Sequence, residues 1–145
     1  MFQLRKATIE DVLSIKSVLK ETWLSTYKEI FPLEIIEKIT SVWHSEKNLQ
    51  KQIQNDKNIN LLAYIENSKE IVGIITIQKL DENSITLSRI YILPEYQGKG
   101  IGKILFYESL KNFDKIEKVT LEVELENTKS INFYKKLGFT EVAEK

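Results

Sequence analysis

Residues 90–103, Ile-Tyr-Ile-Leu-Pro-Glu-Tyr-Gln-Gly-Lys-Gly-Ile-Gly-Lys, decide the fold. They predict a buried strand, a turn with alternating glycines and the first turn of a helix. Glycine tolerates positive φ and lets another molecule approach the backbone closely. The free N–H groups and positive dipole end of a helix can hold an anion. The loop therefore predicts a phosphate or pyrophosphate site made mainly of backbone N–H groups, built from Gln97, Gly98, Lys99, Gly100, Ile101, Gly102 and Lys103.

Two well-known phosphate loops fit this stretch less well. A P-loop needs Gly-Lys followed by Ser or Thr, whereas Ile104 follows here, and Gln97 stands where its first glycine should be. A dinucleotide-binding G-x-G-x-x-G loop would need a third glycine where Lys103 stands. The loop alone leaves open the alternative of an ordinary glycine-rich turn before a helix.

Composition narrows the class of protein. The chain has 145 residues with 21 Lys and Arg against 21 Asp and Glu, so its formal net charge is zero. We expect one domain over residues 1–145 and no nucleic-acid partner, because nucleic-acid binders normally carry a basic excess. The absence of Cys excludes disulfides, thiol nucleophiles and zinc–thiolate sites, and we expect no metal. Without an apolar leader or spanning segment, the sequence predicts a soluble cytoplasmic protein with no membrane partner.

The hydrophobic period predicts a mixed α/β (α+β) fold in the order β-α-α-β-β-β-α-β-α-β. A first strand precedes helices that Thr8 caps and Pro32 separates, and Ser45 can cap a third helical piece. The predicted strands are residues 2–6, 59–65, 71–77, 84–93, 119–125 and the start of one at 139–142. The helices after the glycine loop are predicted at residues 100–112 and 128–137, the second ending at Gly138.

Two motifs resemble the GCN5-related N-acetyltransferase (GNAT) family. Gln97-x-x-Gly100-x-Gly102 is similar to the family's Q/R-x-x-G-x-G/A loop, which wraps the pyrophosphate of acetyl-coenzyme A. Downstream, the run from Asn127 through Tyr134 to Phe139 resembles N-x-x-A-x-x-x-Y-x-K-x-G-F, with Ser in place of Ala. The resemblance implies a mostly antiparallel sheet that splays between the strand before the loop and the strand after its helix.

By the same resemblance, coenzyme A lies in that splay. Ile90, Tyr91 and Ile92 would offer backbone groups to the pantetheine arm. Asn127 would hydrogen-bond the cofactor near its pantetheine end, and Tyr134 would place its hydroxyl near the sulfur. Lys136 would reach a phosphate.

The general base is less well specified. Many relatives carry a Glu on the strand before the loop, but residues 84–89 contain no carboxylate, and Ser88 can only orient a water. Leu121-Glu122-Val123 resembles part of the L-E-V-R run of enzymes that acetylate ribosomal-protein N-termini, twelve residues before the Tyr. Glu122 is thus the candidate base alongside Tyr134 as the catalytic acid. The alternative for Glu122 is a solvated strand-face carboxylate.

Several short sequence segments also resemble the PaiA-type polyamine N-acetyltransferases, among them residues 21–23, 26–29, 45–49 and 89–92. This similarity favours spermidine or spermine as the amine acceptor. Two alternatives stay open, namely acetylation of a protein N-terminus or lysine, and a non-catalytic acetyl-coenzyme A sensor.

Several other residues receive ordinary interpretations. His44 is expected at a helix start or the surface, while Trp23, Tyr27 and Trp43 are expected in the core or around an acceptor pocket. The carboxylates of Glu34, Glu37, Asp81 and Glu82 are expected on a solvated face. Relatives usually add a last strand after the one that starts at Phe139, and here the sequence stops at Lys145, so we expect either that this strand is lacking or that another chain, as in a homodimer, fills its place at the sheet edge.

Overall fold

A five-stranded sheet is the centre of the structure, a computed structural model that describes residues 1–123 and 127–140. One strand, three helices and three strands come first, followed by a helix, a strand and a helix, with short 3₁₀ turns before the first and the fourth helix. In chain order they are β1 (Phe2–Lys6), α1 (Val12–Tyr27), α2 (Leu33–Val42), α3 (Glu46–Gln54), β2 (Asn58–Ile65), β3 (Ile71–Lys79), β4 (Ser84–Ile92), α4 (Ile101–Leu110), β5 (Lys118–Thr120) and α5 (Thr128–Lys136).

The sheet runs in the order β1-β2-β3-β4-β5, antiparallel except that β5 is parallel to β4. The first seven residues of β3 are all buried, which is the pattern of a strand covered on both faces. The Tyr91 side chain on β4 accepts a hydrogen bond from Trp23 on α1. The side chains of Ile92 on β4 and Leu105 on α4 instead lie together over Gly73. Helices α1 and α4 therefore cover opposite faces of the sheet.

The predicted mixed, mostly antiparallel sheet flanked by helices is confirmed, with one helix more than the predicted order between β1 and β2. That helix, α3, begins after Ser45, whose side chain accepts a hydrogen bond from the Asn48 N–H at 3.2 Å. Its Leu49 is 2% exposed in the core, and this apolar contact stabilises a short helix that a cap alone would not hold.

Beyond Thr86 the sheet splays, as the resemblance predicted. Strand β5 pairs with β4 only from Ser84–Lys118 to Thr86–Thr120, while β4 continues to Ile92. The predicted strand at residues 119–125 is wrong in extent, because pairing with β4 ends at Thr120 and residues 121–123 lie in no strand. Residues 124–126 lie outside the described residues. Along the rest of β4, this edge has no strand partner in the described chain, so its backbone groups must find other partners.

A β-bulge falls at the point where the splay begins. Thr76 of β3 is opposite Arg89, whereas the next residue, Ile77, is opposite Leu87, so Ser88 is the extra residue. Bulges re-aim the side chains that follow them and are common beside active sites.

Of the predicted last strand, Phe139 and Thr140 lie in no strand, and residues 141–142 lie outside the described residues.

Candidate active site

The glycine loop leaves α4 with an open N-terminus. Gly98 and Gly100 have φ of +79° and +82°, and Gly100 is the N-cap of α4. A Cβ on either glycine would meet no atom of the described structure within 4 Å. The loop backbone at these two glycines is therefore in the left-handed region and is accessible. The first N–H groups of α4, including the N–H of Ile101, have no acceptor within the helix. This is the geometry of an anion site at a helix N-terminus.

Gly102 serves packing rather than turn geometry. A Cβ there would lie 3.1 Å from Cζ of Phe133, so its absence lets α4 and α5 approach closely. The two loop lysines are not part of a packed network: Lys103 is exposed, and the Lys99 ammonium lies 5.4 Å from the Tyr96 ring centroid. Both place positive charge beside the loop.

Gln97 ties the loop to its surroundings. Its Nε2 donates to the Ile92 carbonyl at 2.9 Å, and its Oε1 accepts from Nζ of Lys129 in the first turn of α5. Lys129 is a basic residue beside the loop that the sequence reasoning missed. Lys136, which the resemblance placed at a phosphate, is exposed in the last turn of α5 and does not line the cleft.

A cleft of about 120 Å³ opens where β4 and β5 diverge, and it brings both sequence motifs together. Its floor is the unpaired edge of β4, including the predicted residues Ile90, Tyr91 and Ile92. Its walls come from α1, the glycine loop, the chain after β5 and α5. The lining residues are Thr22, Thr26, Tyr27, Leu87, Ser88, Arg89, Ile90, Tyr91, Ile92, Gln97, Glu122, Val123, Asn127, Ser130 and Tyr134.

Asn127 lies at the N-cap of α5, 7% exposed. Its Oδ1 accepts a hydrogen bond from the Ser130 N–H at 3.2 Å, which fixes the amide plane against the helix. In the described part of the chain its NH₂ group makes no hydrogen bond, so a ligand in the cleft can use that donor.

Tyr134 lies on the same helix, two turns later. Burial raises the pKa of its hydroxyl, and the neighbouring Tyr91 and Tyr27 raise it further. Edge contacts with Phe133 and Phe139, at 5.5 and 5.9 Å between ring centroids, fix the ring. Tyr134 therefore keeps its proton throughout the neutral range and is available as a hydrogen-bond and proton donor.

An aromatic wall faces Tyr134 across the cleft. Trp23 donates from Nε1 to the Tyr91 hydroxyl at 2.9 Å and lies 4.4 Å from Tyr27 between ring centroids. Burial raises the pKa of Tyr91 to about 12. The core alternative holds for Trp23 and Tyr27, which are both buried, and Tyr27 also lines the cleft, whereas Trp43 is 60% exposed and lies outside it.

Of the two positions expected for His44, the helix start is confirmed, since it precedes the N-cap of α3, and the surface is wrong. It is 5% exposed at the junction of α2 and α3, with its ring 5.8 Å from that of Trp23. Burial and the charge of Arg89 lower its pKa to about 4, so it is neutral at physiological pH. Sequence gave no signal for this, because the junction follows from how α2 and α3 pack.

The charged residues at the cleft are few. Glu122 is exposed on the wall formed by the chain after β5, and the half-buried Arg89 is on the floor. Ser88 is exposed in the bulge between them. The four carboxylates that were expected on a solvated face, Glu34, Glu37, Asp81 and Glu82, are exposed and do not line the cleft.

Residues 1–123 and 127–140 contain neither a candidate metal site nor a candidate membrane-spanning helix. No group of three His, Cys, Asp or Glu side chains could hold a metal ion. No helix there has the length and apolar character that a membrane crossing requires.

The family model of the acetyltransferase (GNAT) family matches residues 20–139. This match covers most of the chain and includes both the glycine loop and the Asn127–Phe139 motif, so the chain belongs to the GNAT family of acetyltransferases.

Among its relatives is the spermidine N(1)-acetyltransferase of Thermoplasma acidophilum, 34% identical over 143 residues, or 94% of this chain and 87% of the relative. The crystal structure of PaiA N-acetyltransferase from Thermoplasma acidophilum in complex with coenzyme A superposes with a TM-score of 0.94 at 30% identity, covering 100% of this chain and 93% of that one. The ribosomal protein bS18 alanine N-acetyltransferase of Haemophilus influenzae is 39% identical over 94 residues, 63% of this chain and 62% of the relative. These similarities confirm the predicted family and the resemblance to its PaiA-type subgroup.

Proposed function

We propose that this protein acetylates a primary amine of a polyamine such as spermidine or spermine. It is an acetyl-CoA-dependent N-acetyltransferase, in keeping with its family. The observation that carries the polyamine acceptor is the 34% identity, over 94% of the chain, with a spermidine N(1)-acetyltransferase.

The splayed sheet supplies the cofactor site in this proposal. The pyrophosphate of acetyl-CoA binds the open N–H groups at Gly98 and Gly100 and the first turn of α4. The pantetheine arm then pairs with the edge of β4 beyond Thr86, where no described strand pairs with it. The amide of Asn127 donates to the arm from the other wall of the cleft.

The transfer requires a neutral amine and a leaving thiolate. The amine nitrogen attacks the thioester carbonyl carbon, and the resulting tetrahedral species expels the sulfur when its C–S bond breaks. Tyr134 donates its proton to the thiolate and recovers a proton from the attacking nitrogen, so that protons balance over the cycle. Glu122, at the cleft wall, accepts the proton that the acceptor ammonium loses before attack. Backbone N–H groups of β4 stabilise the oxyanion.

A second candidate acceptor is a peptide N-terminus. The relative from Haemophilus influenzae acts on the alanine of ribosomal protein bS18, and Glu122 stands in a run similar to one in such enzymes. The identity with this relative extends over 63% of the chain, against 94% for the spermidine N(1)-acetyltransferase, and the longer match favours the polyamine acceptor.

The test is thiol release from acetyl-CoA with spermidine, spermine, Ala-terminated peptides and an aminoglycoside as acceptors. We expect the highest kcat/KM with a polyamine. A higher kcat/KM with the peptides would overturn the polyamine acceptor while keeping the reaction class. Release of thiol with none of these amines, despite tight binding of acetyl-CoA, would indicate the non-catalytic sensor.

A further inference from the structure

Arg89 is a positive charge on the cleft floor that forms no ion pair with any described residue. It follows the bulge on β4, on the face that carries Tyr91, and is half-buried. In the described part of the chain its guanidinium makes neither a hydrogen bond nor an ion pair, and its electrostatic neighbours are His44 and Tyr91. Removing a guanidinium from water is costly, so such groups normally have a carboxylate partner. An unpaired one at a candidate active site needs a reason.

The groups that face Arg89 do not cancel its charge. Burial raises the pKa of Tyr91 and of Tyr134, so both are neutral, and His44 is neutral as well. The hydroxyl of Tyr27 faces the same space from α1. Glu122 is the one carboxylate among the described cleft-lining residues, and it is exposed, so water and salt screen its charge.

The charge of Arg89 already acts on another basic side chain of this protein, His44. After burial, which is the larger cause, the charge of Arg89 lowers the pKa of the His44 imidazole. Any other basic group that docks in this part of the cleft meets the same repulsion towards its protonated form.

The reaction has a matching need. A free alkyl amine, with a pKa of roughly 10, arrives largely protonated at neutral pH and must lose a proton before it can attack. Strand β4 has Ser88 at the bulge and no carboxylate to take that proton. A neighbouring cation is a known way to make an amine nucleophilic at neutral pH.

We propose that Arg89 holds the attacking amine of the acceptor in its neutral, nucleophilic form. The proposal rests on the proposed transfer to an amine. As the acceptor docks, its N–H bond to the extra proton breaks, the proton passes to Glu122 or to solvent, and the nitrogen lone pair is free to attack the thioester. Repulsion also weakens binding of the protonated acceptor, so the Michaelis constant rises as pH falls.

The test is the pH dependence of kcat at saturating acceptor, which reports groups in the enzyme–substrate complex. We expect the acid limb of Arg89→Met to lie about one to two pH units above that of the wild type, the usual effect of one nearby charge. At pH 7 this lowers kcat by roughly 10- to 100-fold, and the deficit disappears on the alkaline plateau. Arg89→Lys, which keeps the charge, should restore the wild-type profile. Lys51→Met, which removes an exposed charge on α3, is the matched control.

A second measurement does not depend on turnover. Calorimetry of acceptor binding to the coenzyme A complex, in two buffers of different ionisation enthalpy, counts the protons that leave on binding. An amine whose pKa falls from roughly 10 by one to two units is about 10–50% neutral at pH 8, so we expect about 0.1–0.5 proton released per attacking amine for the wild type and several-fold fewer for Arg89→Met. Thermal melts and coenzyme A affinity verify that each variant is folded.

Three results would overturn the proposal. One is a uniform loss of kcat in Arg89→Met at every pH, which indicates a structural role. Another is a raised Michaelis constant with an unchanged profile, which indicates that Arg89 binds an anionic group of the acceptor. The third is equal proton release by both proteins. The acceptor used is whichever amine the wild type acetylates fastest, so failure of the polyamine proposal shows separately, as wild-type preference for another amine.

Discussion

Replacing Tyr134 with Phe isolates the chemical role of one hydroxyl. In the described residues this hydroxyl makes no hydrogen bond, while the ring packs against Phe133 and Phe139. Loss of the oxygen should therefore change the free energy of unfolding by less than about 0.5 kcal/mol, as for a substitution that breaks no buried network.

The kinetic effect should be far larger. If the Tyr134 hydroxyl protonates the leaving thiolate, kcat should fall by about 10²–10⁴, which corresponds to about 3–5 kcal/mol of transition-state stabilisation. The Michaelis constant for the acceptor should change little, since the lost interaction forms in the transition state. Because burial raises the Tyr134 pKa, the wild-type kcat should show no alkaline limb from this group up to and beyond the ordinary Tyr range near pH 10.

The assay is single-turnover acetyl transfer under rapid mixing, which separates chemistry from product release. Tyr107→Phe removes a hydroxyl from an exposed Tyr on α4, outside the cleft, and is the matched control. A single-turnover rate for Tyr134→Phe within about threefold of the wild-type rate would refute the assignment, since general acid help is worth far more.

Three further perturbations test other parts of the structure. Glu122→Gln should lower kcat/KM most at low pH, where the acceptor is protonated, and a wild-type pH profile would assign proton removal to another group. Gly100→Ala, at φ +82°, should weaken coenzyme A binding about tenfold or more in calorimetry. Gly138→Ala, at φ +105° outside the loop, is the control and should lower stability alone. Equal effects of the two substitutions on coenzyme A binding would refute the loop assignment. Asp11→Asn should cost about 1–3 kcal/mol at pH 7, because Asp11 binds Arg5 at 2.7 and 2.8 Å and has a lowered pKa. That contribution is lost as pH falls through the folded-state pKa, so denaturant melts of the two proteins should converge below about pH 4.

Local patterns made much of this structure predictable. Runs rich in β-branched residues indicate the strands, and Val12, Ile15, Leu19 and Trp23, which are all buried, recur at helical spacing and indicate α1. The glycine loop is equally local, since positive φ at Gly98 and Gly100 follows from their residue type.

What sequence did not reveal depends on register and tertiary packing. The bulge at Ser88 decides which face of β4 carries Arg89, and no residue type signals it. The burial of His44 depends on how α2 meets α3, and the contact of Lys129 with Gln97 spans two elements. The short β5 reflects the splay, because a strand ends where its partner diverges even when its apolar alternation continues.

The central claim is that acetyl-CoA occupies the split between β4 and β5, held by the glycine loop. Hydrogen–deuterium exchange with and without coenzyme A tests it most directly. The account predicts slowed exchange in peptides that cover residues 87–92 and 97–103, where N–H groups are open in the free protein. Protection confined to other parts of the chain, with both of these stretches unchanged at saturating coenzyme A, would contradict it.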